Sequence, residues 1–141
     1  MAVPEKTKGW LANQEASVKE PWIQVLGPLL DIEETRQLLH LESAREVIAL
    51  QLQGLILALG SFGQNLYPAL QFSPAGKLYP EVARVLEIFS EVVETPYTIA
   101  SWFVSPQDLL EDKTPAAWLQ AGEDPSLLFE AARRDAWRLA Q

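Results

Sequence analysis

The chain has 141 residues, a mass of 15.8 kDa and an apolar fraction of 48%, which suits one domain or two very small ones and excludes a disordered chain. Its net charge of −8 and pI near 4.6 exclude a nonspecific nucleic-acid binder, which needs a basic surface to displace counterions from phosphates. The absence of cysteine excludes disulfides, thiolate metal sites, iron–sulfur ligation and a cysteine nucleophile.

No run of about 18 apolar residues suggests a membrane span. The start, Met1-Ala2-Val3-Pro4-Glu5-Lys6, shows no apolar signal region, and the expectation is a cytoplasmic protein. Residues 1–29 read as an N-terminal extension, with an amphipathic hint at Trp10-Leu11 and a break at Glu20-Pro21. The apolar stretch Trp22 to Leu30 contains Gly27-Pro28, so it reads as an ordered lead-in and not as a regular element.

Residues 30–77 read as a helix-turn-helix with a wing. Asp31 and Glu34 form a capping-box pattern, and Ile32, Thr35, Leu38 and Leu39 share one helical face. A turn at His40-Leu41-Glu42 leads to a second box pattern, Ser43 with Glu46. Val47, Ile48, Leu50 and Leu52 supply the apolar positions of the second helix, and Gly54 closes it. Leu55 to Leu59 and Gln64 to Pro68 then read as a β-hairpin across Gly60-Ser61-Phe62-Gly63. Ser73-Pro74-Ala75-Gly76 reads as a turn.

Residues 78–141 read as helical. Val82, Val85, Leu86, Phe89, Val92 and Val93 follow the spacing of a core-facing helix. Thr95-Pro96, Ser105-Pro106, Thr114-Pro115 and Asp124-Pro125 recur about every ten residues, each an N-cap residue before proline. They predict three short helices and a longer last one, with Gly122 ending the helix before it. Residues 1–72 carry five basic and eight acidic side chains, and residues 73–141 carry six and eleven, so neither half is a basic module. The fold class expected is mainly α: a degenerate winged helix-turn-helix with a small β-hairpin, then a compact bundle of short helices.

The second half resembles the toxin-binding domain of Xre/MbcA/ParS-type antitoxins. The resemblance rests on Tyr97-Thr98-Ile99-Ala100-Ser101-Trp102-Phe103, Ser105-Pro106-Gln107 and Leu110. It continues through Lys113-Thr114-Pro115-Ala116-Ala117-Trp118-Leu119, Gly122-Glu123-Asp124 and Ala131-Ala132-Arg133. Ahead of it, Gly54 to Leu59 and the Y-P-A-x-Q-F stretch Tyr67 to Phe72 are similar to the degenerate helix-turn-helix that often precedes that domain. Together these cover roughly residues 30–140. The chain departs from the pattern at Asp112, where the family has glycine before the T-P pair, and this predicts a different turn conformation. The resemblance implies a bacterial cytoplasmic protein that dimerises and neutralises a cognate toxin, commonly an NAD-consuming RES-type enzyme. It also implies, for full antitoxins, repression of their own operon through the helix-turn-helix.

Two sets of site residues follow. Trp118, Arg133, Arg134, Trp137 and Arg138 are the candidates for binding a partner protein, because tryptophan and arginine anchor interfaces. Against this, Trp118 also suits a core position, as Trp102 does, and cations near a helix C-terminus complement its dipole. Ser43, Arg45, Gln51, Gln53 and Gln64 are the candidates for DNA contact, through arginine to guanine and glutamine to adenine, with Asn65 beside Gln64 on the wing. Here Arg45 is flanked by Glu42 and Glu46 and few cations lie near to meet phosphates. His40 reads as a capping or surface residue, and the carboxylate pairs Glu33-Glu34 and Glu111-Asp112 as solvated faces. No phosphate loop, zinc motif or nucleophile–base pattern occurs, so no cofactor, metal or enzymatic activity is expected. The function expected is a noncatalytic antitoxin that binds its toxin through the C-terminal half; the alternative is a DNA-binding regulator whose C-terminal half only dimerises.

Overall fold

The structure, a computed structural model, describes residues 23–61 and 63–141. Trp10-Leu11, Glu20-Pro21 and Phe62 lie outside the described residues.

The lead-in is more regular than its Gly-Pro suggests. Residues 23–26 form a helical turn, and Leu29–Leu30 form strand β1. Gly27 adopts φ +83°, which lets the chain reverse between the two without a side-chain clash. Helix α1 (Ile32–Leu38) carries the expected capping box. The Asp31 carboxylate accepts from the Glu34 N–H at 2.7 Å, and the Glu34 carboxylate accepts from the Asp31 N–H at 2.8 Å. Thr35, fully buried, donates its hydroxyl to the Asp31 carbonyl at 2.8 Å. His40, at φ +58°, turns the chain toward helix α2 (Ala44–Leu52).

The second expected box does not form. Ser43 makes no side-chain cap, and Glu46 instead accepts from the N–H of Glu42 at 3.1 Å, one residue further back. Helix α2 ends as expected at Gln53, followed by Gly54 at φ +75°.

The hairpin is shorter on its first arm than the apolar run implies. Strand β2 spans Leu59–Ser61 and β3 spans Gln64–Pro68, paired antiparallel with Leu59 opposite Leu66 and Ser61 opposite Gln64. Residues Leu55 to Ala58 lie outside it, because a side chain meets the backbone that a strand would otherwise pair. The buried Gln71 amide accepts from the Leu57 N–H at 2.7 Å and donates to the Leu57 carbonyl at 2.8 Å. On the other edge of β3, β1 pairs antiparallel, Leu29 opposite Pro68 and Leu30 opposite Tyr67. The sheet order is therefore β1-β3-β2, and the two helices with this sheet make a winged helix-turn-helix-like unit.

The second half is helical. Helix α3 (Pro80–Phe89) buries Val82, Val85 and Phe89, and Val92 and Val93 pack on the core from beyond its end. Helix α4 (Pro96–Phe103), α5 (Pro115–Gln120) and α6 (Pro125–Leu139) each open on a proline at the first position. Their caps are Thr95, Thr114 and Asp124, whose side chains accept from Tyr97, Ala117 and Ser126 N–H groups. The Ser105-Pro106 pair opens no such helix. The Ser105 hydroxyl donates back to the Ser101 carbonyl at 2.8 Å, and only a 3₁₀ turn, Asp108–Leu110, follows.

The turn after it keeps a left-handed backbone without glycine. Glu111 and Asp112 sit at φ +59° and +64°, held by Asp112 N–H to Gln107 carbonyl at 2.9 Å and Gln107 N–H to Lys113 carbonyl at 3.1 Å. Asp112 thus occupies a left-handed position, where its short polar side chain tolerates the strained region.

One apolar cluster joins Leu26, Leu29, Leu57, Leu59 and Leu66 to the helical half, including Phe89, Phe103, Leu110 and Leu128. A smaller cluster of Val47, Ile56, Tyr67 and Phe72 lies under the helix-turn-helix. The helical half therefore packs onto the back of the winged unit and leaves the outer face of α2 and of α6 to solvent.

Candidate functional site

Helix α6, the longest among the described residues, opens on the Asp124 cap and Pro125 and turns a face of small residues inward. Leu128, Ala131, Ala132 and Ala136 point inward, and the alanines let the helix lie close to α3. The opposite face carries Glu130, Arg133, Arg134, Trp137 and Arg138, all exposed. Trp137 stands 66% exposed, so it contributes little to the core.

The three arginines are each met by a carboxylate. Arg133 pairs with Glu130 at 3.1 Å, Arg138 with Asp135 at 3.1 Å, and Arg134 reaches Asp108 of the 3₁₀ turn at 3.9 Å. Of the three, Arg138 alone lies in the last turn, so a helix-dipole role fits it and not the other two. Ion pairs this exposed are worth about 0–1 kcal/mol, weak enough for the guanidinium groups to exchange partners.

Trp118 does not belong to this surface. It is 3% exposed, its indole N–H donates to the Asp124 carbonyl at 2.7 Å, and the Lys113 ammonium lies 5.7 Å from its ring centre. It locks α5 to the start of α6 and cannot anchor a partner. Trp102 is also buried, with its indole N–H on the Asp135 carboxylate at 2.8 Å and its ring edge-on to Phe89.

The DNA candidates divide. Ser43, Arg45 and Gln53 are exposed on or beside α2, and Gln64 is half-buried on β3. Gln51 is turned inward. Its carbonyl oxygen accepts from the Tyr67 hydroxyl at 2.8 Å and from the Asn65 amide at 3.2 Å, which ties α2 to β3. A glutamine so engaged is not presented to a base edge. Burial pushes the Tyr67 phenol above its usual range. Between Arg45 and Lys77 the chain has no lysine or arginine. The second helix and the wing therefore offer a single cation, with exposed Glu42 and Glu46 beside it.

Leu52 is a further residue whose place the apolar pattern of α2 mispredicts. Counted among the apolar positions of α2, it is 79% exposed. It follows Arg45 and Ala49 at i, i+4, i+7, the solvent row opposite the buried Val47, and that row is the signal that would have found it.

A cleft of about 720 Å³ opens between α1, the 3₁₀ turn Ala69–Gln71 and α5, with Leu30, Leu38, Leu70, Phe72 and Tyr79 on its walls. Glu34 on its lining is already held by the Asp31 N–H. Among the described residues no group of three or more His, Asp or Glu side chains is placed to hold a metal ion. No helix among them is long and apolar enough to cross a membrane.

The chain is similar to a solved structure described as "NMR structure of Rv2175c", with 18% identity over 80% of this chain and 79% of that one, at a TM-score of 0.56. The likeness lies in the fold. No family model and no curated protein matches the chain.

Proposed function

We propose that the protein is a noncatalytic antitoxin that binds and neutralises a cognate protein toxin through its C-terminal half. The supporting observation is the outer face of α6, where an exposed Trp137 is bordered by Arg133, Arg134 and Arg138. An aromatic ring in solvent beside arginines is the composition of an interface centre, since tryptophan buries a large apolar area against a partner and arginine gives it several charge-assisted hydrogen bonds. Trp118 leaves the partner-binding set on account of its burial. The resemblance of residues 97–133 to antitoxin toxin-binding domains supports a protein toxin as the partner class, in that family commonly an NAD-consuming RES-type enzyme.

The alternative, a DNA-binding regulator, draws on the winged helix-turn-helix-like unit. The single cation between two glutamates on α2, and the inward Gln51, weigh against it, because half or more of protein–DNA hydrogen bonds go to phosphate and sugar.

The test is co-expression with the toxin encoded beside it. Growth should be restored and the two proteins should co-purify. Trp137→Ala should abolish both while leaving the melting temperature within a few degrees of the parent. Persistent toxicity with no complex would overturn the reading. A mobility shift of the promoter DNA at low salt, lost on Arg45→Ala, would favour the alternative.

A further inference from the structure

We infer that the cleft bounded by α1, the 3₁₀ turn Ala69–Gln71 and α5 is the docking site of the chain's own N-terminal segment, with Trp10-Leu11 as its apolar anchor. The cleft measures about 720 Å³. Pockets of about 300–1,000 Å³ take drug-sized molecules, so an indole with a leucine side chain beside it fits this one. Leu26 and Phe72 on its lining are buried, while Leu38, Leu70 and Tyr79 are only partly covered. Apolar side chains gathered in one concave surface mark a binding groove, where a single exposed leucine does not.

Three observations choose the occupant. The described chain begins at Ile23, and Leu26 and Pro28 already lie on the cleft's lining, so the preceding residues enter beside it. Sixteen positions separate Trp10 from Leu26. At about 3.3–3.6 Å per extended residue that length reaches more than about 50 Å, so the tether sets no limit on which wall Trp10 meets. Attachment also gives the segment a local concentration on the order of millimolar, which a second copy or a free ligand does not have. The third observation is charge. Glu34 is the one charged side chain on the cleft's lining. Its Oε1 accepts from the neutral Asp31 N–H at 2.8 Å, a bond that leaves its negative charge uncancelled. Residues 6–14, around Trp10-Leu11, carry Lys6 and Lys8 and no carboxylate. A cationic rim on an apolar anchor is the complement of an apolar cleft with one carboxylate. Because α1 belongs to the winged unit and α5 to the helical half, the docked segment braces the two against each other. This inference stands apart from the proposed toxin contact, which lies on α6.

The test uses the purified full chain. The parent has no cysteine, so any disulfide is an introduced one. Ala12→Cys puts a thiol two positions beyond Trp10, and Gln120→Cys puts a second on the exposed edge of the cleft. Under mild oxidation this pair should close within one chain, at a rate independent of protein concentration. It should close at least tenfold faster than Ala12→Cys with Ala49→Cys, whose second thiol is exposed on α2 outside the cleft. Adding Trp10→Ser should remove that advantage and leave the Ala49 pair unchanged. Without any cysteine, Trp10→Ala should shift the amide resonances of Leu38, Leu70 and Tyr79 and spare those of Arg133 and Trp137. Equal rates for the two pairs, an advantage that survives Trp10→Ser, or cleft resonances that do not move would each overturn the inference. A disulfide that forms only between chains would overturn it too, because the occupant would then be a second copy.

Discussion

The indole N–H of Trp102 on α4 donates to the Asp135 carboxylate on α6 at 2.8 Å, across 33 positions of sequence. The bond satisfies the one polar atom of a ring that is otherwise buried against Phe89 and Phe103. It also sets the rotation of α6, because Asp135 lies between the buried Ala132 and Ala136 and the outward Arg134 and Arg138. Removing the acceptor strands a buried donor, which costs about 1–3 kcal/mol. Asp135→Ala should therefore lower unfolding free energy by that amount in urea titrations. Arg138→Ala, which removes only the exposed pair with Asp135, should stay within about 0.5 kcal/mol of the parent.

Gly76 has no room for a side chain. Its φ of +79° lies in the left-handed region, and a Cβ there would fall against the Leu38 carbonyl oxygen at the end of α1. The turn is closed by the Gly76 N–H on the Ser73 carbonyl at 2.9 Å, so it cannot swing away freely. Gly76→Ala should cost upward of about 2 kcal/mol, from backbone strain and the clash together. Gly122→Ala, at φ +69° with open space around it, should cost only the strain, about 1 kcal/mol. Chemical denaturation of the pair separates the two contributions.

Tyr67 makes stability sensitive to alkali. Burial raises the phenol pKa in the folded state above the value near 10 of the unfolded chain. The folded state therefore holds its proton more tightly, and this contribution is fully present below about pH 10 and lost as pH rises through the folded pKa. Melting temperature should fall above about pH 10 in the parent and fall less steeply in Tyr67→Phe. At neutral pH the same substitution removes the bond to Gln51 and should cost about 1 kcal/mol.

Asp112 occupies a left-handed position that glycine adopts without strain. Asp112→Gly should raise the melting temperature, with a gain of up to about 1 kcal/mol after the larger chain entropy of unfolded glycine is subtracted. Asp112→Val, branched at Cβ, should lower it by more than that.

The local elements were legible because their causes are local. Asp31 with Glu34, and threonine or aspartate before proline at 95, 114 and 124, each satisfy N–H groups within one turn. Ser105-Pro106 carries the same signature and fails. Nothing in the pair itself tells that Asp108 to Lys113 will fold back through a loop closed by Gln107.

The α6 surface is legible in part: Arg133, Arg134, Trp137 and Arg138 are exposed and Trp102 is buried as its apolar neighbours predict, while Trp118 needs the tertiary structure to be told from the surface set. A tryptophan in a short helix is compatible with either side, and the decision lies in whether a distant acceptor, Asp124 or Asp135, meets its N–H.

What the sequence by itself determined is the acidic charge, the absence of thiol chemistry and the order of capped helices and hairpin, since these depend on composition and on neighbours within a few residues. Only the tertiary structure decided that Leu29–Leu30 complete the sheet, that Gln71 serves the backbone of Leu57, that Gln51 turns inward and that Leu52 faces solvent. Each of those outcomes is set by a partner far along the chain or by which helix face remains uncovered, and neither is written in local spacing.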